Sequence, residues 1–245
     1  MRRLLALAML VLLTMSAGCT SLFGPGDLDQ EQLNAEAEYD WDTDATATID
    51  LRADRSRSVY DLEDRRNLSV YGSNALGLER PPNLQSVRYQ YPNGTVIAPD
   101  DSEEFRVQQS RERATIRVPE AGGKVAFTIP RNGKSFTTPT FVEDTSYEVV
   151  LPSNTDVAVP LLGKVSPGGY TTEQVGDRVH IRWDTVETSA ISVRYYLDRD
   201  LLIFGSLAGL LTVAGLLGAV YYQMQIRELA RRRQEVGLDM ESGEE

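Results

Sequence analysis

Hydrophobic and polar positions fall into different regimes along this chain. Leu201 to Tyr222 reads LLIFGSLAGLLTVAGLLGAVYY, 22 residues without a charge. As a helix rising about 1.5 Å per residue it is about 33 Å long, enough to cross the core of a bilayer. Asp198, Arg199 and Asp200 precede it, and Arg227, Arg231, Arg232 and Arg233 crowd the other side. A buried soluble helix is seldom apolar on every face over such a length, so 201–222 is expected to be a transmembrane helix.

From about Asp44 to Leu197 the period is two. Ala45–Leu51 alternates Ala and Ile with Thr and Asp. Leu84–Tyr91 alternates as well, and Asn93–Gly94 supplies a two-residue hairpin turn into Thr95–Ile97. Ala114–Val118, a Gly122–Gly123 turn and Lys124–Ile129 follow, then Asn132–Gly133 as a second tight hairpin returning through Ser135–Thr137. Tyr147–Leu151, Val157–Leu162, Arg178–Trp183 and Ala190–Leu197 complete the series, while Arg52–Arg66 reads as a loop or short helix. Short strands between turn residues predict an all-β ectodomain over 44–198. It is expected to be a sandwich, immunoglobulin-like or built of two small packed β units, with any subdivision near 119–123. Only Asp198, Arg199 and Asp200 separate the last strand from the span, so the domain is expected to sit close on the membrane.

The amino terminus follows a third pattern. Arg2 and Arg3 form a positive n-region, Leu4–Leu13 an apolar h-region, and Ser16, Ala17 and Gly18 lead into Cys19. This predicts a signal peptide over 1–18, cleaved after Gly18. Ala17, Gly18 and Cys19 resemble the lipobox of bacterial and archaeal lipoproteins, with Cys19 as the lipidated residue; Ser16 departs from the aliphatic residue preferred there. The Arg2–Arg3 pair leaves both the Sec and the twin-arginine export routes open. Residues 19–43, with Gly24, Pro25 and Gly26, read as a flexible acidic tether.

Charge narrows the setting. The net charge is −11, with three lysines (Lys124, Lys134, Lys164) among 25 basic residues. An acidic surface nearly without lysine fits a protein kept hydrated in concentrated salt, where the Debye length at 1 M is about 3 Å; arginine-favouring codon bias is the alternative. An acidic ectodomain argues against nucleic-acid binding through phosphate contacts. Cys19 is the one cysteine and His180 the one histidine, which excludes an internal disulfide and a Cys/His metal site of the usual spacing.

Candidate chemistry is sparse. Asp40, Asp42 and Asp44 form a D-x-D-x-D run, but an EF-hand loop would want glycine where Ala45 stands and glutamate where Leu51 stands. His180 belongs to a polar strand face with Arg178, Arg182 and Asp184. No nucleophile elbow, H-E-x-x-H or phosphate-binding glycine loop is present, so no catalytic residue, metal ligand or cofactor is assigned. Asn67-Leu-Ser69 and Asn93-Gly-Thr95 are N-glycosylation sequons. Within the span, Gly205, Ala208, Gly209, Thr212, Gly215 and Ala219 place small residues on one face, a seam for its own copy or a partner's helix. Beyond Tyr222, residues 223–245 form a tail whose start continues the helix, with Gly237 placed to end it. The Arg227, Arg231, Arg232, Arg233 cluster marks this side as cytoplasmic and able to touch anionic lipid headgroups.

A lipobox, an acidic arginine-rich β ectodomain and one carboxyl-terminal span together resemble the uncharacterised membrane lipoproteins of haloarchaea. The resemblance covers the whole chain through layout and composition, and it implies the cell surface without an activity. The function expected first is a non-enzymatic interaction or accessory subunit of a membrane complex, in contact with membrane lipid and another transmembrane helix. A ligand- or carbohydrate-binding β module is the alternative, with Trp41, Tyr89, Tyr91 or Trp183 lining its groove. A hydrolase with convergent carboxylates or a base-paired nucleophile is the third class.

Overall fold

A computed structural model describes residues 28–73 and 77–241. The chain divides into two compact units, Met1–Tyr195 and Tyr196–Glu245. In the first, β1 (Ala47–Leu51) buries Ala47, Ile49 and Leu51 and turns Thr48 and Asp50 to the opposite face, the period-two arrangement expected of it. Next come β2 (Arg55–Asp61), β3 (Asn67–Val70), β4 (Gly72–Ser73), β5 (Glu79–Arg80), β6 (Gln85–Gln90) and β7 (Val96–Ile97). After a 3-10 turn at Pro99–Asp101 follow β8 (Arg106–Gln109), β9 (Ala114–Arg117), β10 (Lys124–Pro130), β11 (Ser135–Pro139) and β12 (Thr145–Val150). The series continues with β13 (Thr155–Asp156), β14 (Lys164–Ser166), β15 (Thr171–Val175), β16 (Arg178–Val186) and β17 (Ala190–Arg194).

Eight of these strands form the main sheet, in the order β15-β16-β12-β1-β2-β10-β6-β7. The β1–β12 pair at its centre is parallel, with Ile49 opposite Val149, and the flanking pairs are antiparallel. Two smaller sheets, β3-β9-β8 and β11-β17-β14, contribute to the same core. Leu68 and Ile116 come from the first and Ile191 and Val193 from the second, joining Tyr60, Phe127, Tyr147 and Trp183 of the main sheet in one apolar cluster. Residues from both sides of 119–123 enter that cluster. The Tyr60 ring stacks on Phe127 at 5.6 Å between centroids and meets Tyr147 edge-on at 6.5 Å.

Several local expectations change. Arg52–Arg66, read as loop or short helix, contains β2 in the middle of the main sheet. Its core-facing positions are Ser56, Ser58 and Tyr60, so serines stand where the apolar half of the alternation belongs. The Asn93–Gly94 turn does join β6 to β7, through three residues rather than two: Tyr91 N–H donates to Thr95 O, and Gly94 takes φ +87°. The other two turns lead to a different sheet. β9 and β10 lie on either side of Gly122–Gly123 without pairing, and β11 leaves Asn132–Gly133 to pair with β17. At Gly123 the backbone runs against the Tyr89 phenol and the Gln90 carbonyl, leaving no room for a Cβ. Val157–Leu162 forms no strand; Leu162 and Gly163 N–H both donate to Val159 O in a turn.

The expected tether differs most. Residues 28–43 lie on the domain as a strap instead of hanging free. Asp29 caps helix α1 (Gln30–Asn34), accepting from Glu31 and Gln32 N–H at 3.1 and 3.2 Å. Leu33 enters the core, and Arg88 donates to Asn34 O and Ala35 O at 2.9 and 2.8 Å. Lys124 Nζ then holds Trp41 O and Thr43 Oγ1 at 2.8 and 3.1 Å. The part of the tether before residue 28, with Gly18 and Cys19, lies outside the described residues.

In the second unit, helix α2 (Asp198–Glu241) is 44 residues long. Its stretch Asp198–Leu229, 32 residues, is long and apolar enough to cross a membrane. Leu201–Tyr222 lies inside it, and the helix continues beyond, through Gly237, where a stop was expected. A single helical glycine costs only about 1 kcal/mol, too little to force an end.

Candidate functional site

The face of the main sheet turned away from the core carries a row of polar and charged side chains. Thr48 and Asp50 of β1, Arg57 of β2, Glu148 of β12, His180 and Arg182 of β16 and Arg88 of β6 all lie on it, by the alternation that buries their neighbours. Glu148 has a side chain only 7% exposed, and its Oε1 accepts from Arg182 Nε at 2.8 Å while lying 2.7 Å from His180 Nδ1. Arg182 also reaches Glu173 of β15 at 3.5 Å. Along the sheet, Arg178 pairs with Asp50 and donates to Leu151 O and Leu51 O at 2.7 and 3.1 Å. Glu148 therefore pairs with Arg182 and Asp50 with Arg178, while His180 is hydrogen-bonded to Glu148, and the arrangement is a structural ladder of polar contacts along the sheet.

The strap covers another part of this face. Tyr39 O–H donates to Ser86 O at 2.7 Å and lies 2.8 Å from Thr128 Oγ1, while its ring meets Trp41 edge-on. Burial pushes the Tyr39 phenol up to about 12, against the lowering effect of the Thr128 bond. Beneath the strap, Glu38, Tyr39, Asp40, Thr48, Asp50, Arg52, Arg57 and Val59 line a hollow of about 410 Å³. Within the D-x-D-x-D run, Asp40 Oδ1 accepts from Asp42 N–H at 3.1 Å. Among the described residues no group of three or more His, Cys, Asp or Glu is placed to hold a metal ion.

A larger cleft, of about 680 Å³, opens where an edge of the main sheet meets an edge of a small one. β14 and the turn after β13 form one wall, with Val157, Lys164 and Val165; β15, Tyr170 and Val179 form the other. Sequence reading missed this place altogether. Its signal was the run Thr171–Val175, rich in β-branched residues, shortly after Gly168–Gly169.

The residues singled out from sequence scatter. Asn67 stands exposed on β3 opposite Arg117, and Asn93 is exposed in its turn with Oδ1 accepting from Thr95 N–H at 2.9 Å. Trp183 and Tyr89 are core residues, Tyr91 packs edge-on against Tyr89 at 4.8 Å, and Trp41 is held under Tyr39, so these four rings share no groove. On α2, Gly205, Ala208, Gly209, Thr212, Gly215 and Ala219 occupy an arc of about 120° at about 100° per residue. All six are exposed, and the Thr212 hydroxyl donates to Ala208 O at 2.8 Å, within its own helix. Arg227, Arg231, Arg232 and Arg233 follow on the same helix, with Arg232 bridging to Glu228 at 2.7 Å; the Arg233 side chain is outside the described residues.

No curated protein and no solved structure matches the chain. Its residues 43–241, which run from the end of the strap through the β unit to the end of α2, match the Family of unknown function (DUF5803), and the protein belongs to that family.

Proposed function

We propose that the protein is a cell-surface lipoprotein that works by binding, as an accessory or interaction subunit of a membrane complex. The observation that carries this reading is α2, whose apolar stretch is exposed from Leu201 to Leu229 and finds a natural environment only in lipid or against other helices. The arginines after it favour a cytoplasmic carboxyl terminus, which leaves the β unit outside. Lipidation of Cys19 after cleavage at Gly18 would add an outer-leaflet anchor, and the acidic, lysine-poor composition suits a haloarchaeal surface in high salt. A binding role is supported by the way the charged groups on the outer sheet face engage one another, Glu148 with Arg182 and Asp50 with Arg178, with His180 hydrogen-bonded to Glu148.

The test is affinity purification of the full chain from native membranes in mild detergent at high salt. The comparison variant carries Gly205→Leu, Gly209→Leu and Gly215→Leu. A stoichiometric partner that is lost from the variant is the expected result. A protein that purifies alone from the wild-type membranes overturns the proposal.

A further inference from the structure

We propose that the free edge of β15, with the cleft beside it, is a docking site for an extended segment of a partner protein that adds a strand to the main sheet. The inference rests on the binding role proposed above and names the chemistry of the partner.

β15 is the terminal strand of the eight-stranded sheet, paired only with β16, from Thr171 opposite Arg182 to Val175 opposite Arg178. In an antiparallel ladder alternate residues point their N–H and C=O groups away from the partner strand. On the outer side of β15 no backbone group of the described residues takes them up. Gly168 to Asp177 are exposed without interruption, so both faces of β15 are open as well as its edge. Sheet edges are ordinarily blunted by lysine, proline, a bulge or an inward-pointing charge. The sequence Thr-Thr-Glu-Gln-Val has none of these, and its one charge lies on the outer face.

The surroundings specify what is added. Thr172 and Gln174 share the core-side face with Ile181 and Val179, and that face looks into the 680 Å³ cleft, whose apolar lining includes Val157, Val165 and Val179. Every second side chain of an added strand would enter this cleft and should be apolar. The intervening side chains would stand beside Glu173, whose side chain is 64% exposed despite its 3.5 Å approach to Arg182. Arg182 and Arg178 are already engaged by Glu148 and Asp50, so the charge left for a partner on this face is negative, and a basic side chain complements it. A second copy fits poorly. Antiparallel pairing of β15 with itself about its middle residue sets Glu173 opposite Glu173, and like charges directly opposed weaken a ladder. The occupant is therefore an extended segment of another protein, apolar and basic in alternation, bound by β-augmentation.

The test uses the full chain in detergent micelles at moderate salt. The probe is a labelled, end-capped peptide alternating arginine with valine, compared with a glutamate-for-arginine counterpart and with an N-methylated counterpart that cannot form the ladder. Expected are binding of the arginine peptide, slowed amide hydrogen exchange across Thr171–Val175, and no binding of the N-methylated peptide. Glu173→Arg should weaken the arginine peptide about tenfold. Equal affinity for both charge forms, protection that maps elsewhere, or β15 already protected by self-association overturns the dock. The purification separates the two readings. A partner retained at full level by Glu173→Arg, with β15 unprotected, removes this site and leaves the accessory-subunit reading standing. A peptide that binds at β15 while no partner co-purifies does the reverse.

Discussion

Tyr39→Phe tests whether the strap is an integral part of the domain. The phenol donates to Ser86 O and is bonded to Thr128 Oγ1, at 2.7 and 2.8 Å, and Tyr39, Ser86 and Thr128 are all buried. Phenylalanine keeps the ring and its edge-on contact with Trp41 but leaves a buried carbonyl and a buried hydroxyl without that partner. A lost buried hydrogen bond of this kind costs about 1–3 kcal/mol, and we take about 2. With a urea dependence of about 2 kcal/mol/M for a domain of this size, the unfolding midpoint should fall by about 1 M. The chain's two tryptophans make the assay selective: Trp41 reports the strap and Trp183 the core. Because Leu33 sits in the central cluster and Arg88 holds the strap backbone, both probes should move together, with Trp183 followed alone in a Trp41→Phe background. An unchanged midpoint by either probe would show the hydroxyl to be solvated and the strap loose, and the reasoning would fail.

Alkaline unfolding is expected from the buried phenols. Tyr39 and Tyr147 are both pushed up to about 12 by burial, against about 10 in an unfolded chain. The unfolded chain loses these protons first, so the stabilisation is complete below pH 10 and disappears as pH climbs to 12. It amounts to about 3 kcal/mol per tyrosine at most, and tyrosinate absorbance should rise together with unfolding, not before it. Glu148→Gln should destabilise the sheet by about 2 kcal/mol, less than for a fully buried pair because Arg182 is 39% exposed. A double-mutant cycle with Arg182→Gln that gives no coupling energy would show the pair to be incidental. Gly123→Ala should cost about 2 kcal/mol or more in thermal unfolding, since its Cβ meets the Tyr89 phenol and the Gln90 carbonyl. Gly133→Ala, where nothing lies within reach of a Cβ but φ is +82°, should cost about 1 kcal/mol; equal effects would refute the steric account.

Sequence revealed most where burial is one-sided or complete. The span needed only length and apolarity, and strands such as β1, β12 and β16 showed their alternation because their core faces are Ile, Val, Leu and Trp. β2 was hidden because Ser56 and Ser58 face the core. Partner identity was not legible either. The Gly122–Gly123 turn and the hairpin-like Asn132–Gly133 both change sheets, and the central β1–β12 pair joins Ala47 to Tyr147 across most of the domain. Local periodicity carries no information about such distant pairing. The strap was misread because its anchoring is done by the backbone carbonyls of Asn34, Ala35 and Trp41, which any sequence possesses. The β15 cleft was missed for a related reason: a strand exposed on both faces has no hydrophobic alternation to display.

If Cys19 is lipidated, as proposed, the strap shortens the amino-terminal link to the membrane. Were residues 19–43 free, a lipid on Cys19 would leave the β unit a leash of about 24 residues, reaching about 80 Å when fully extended. With the chain seated at Leu28, the nine residue steps from Cys19 can span at most about 30 Å. A partner standing far out in a cell-wall layer would lie beyond it. Under the proposed lipidation and membrane span, a binding partner would be embedded in the same membrane or come down to meet it.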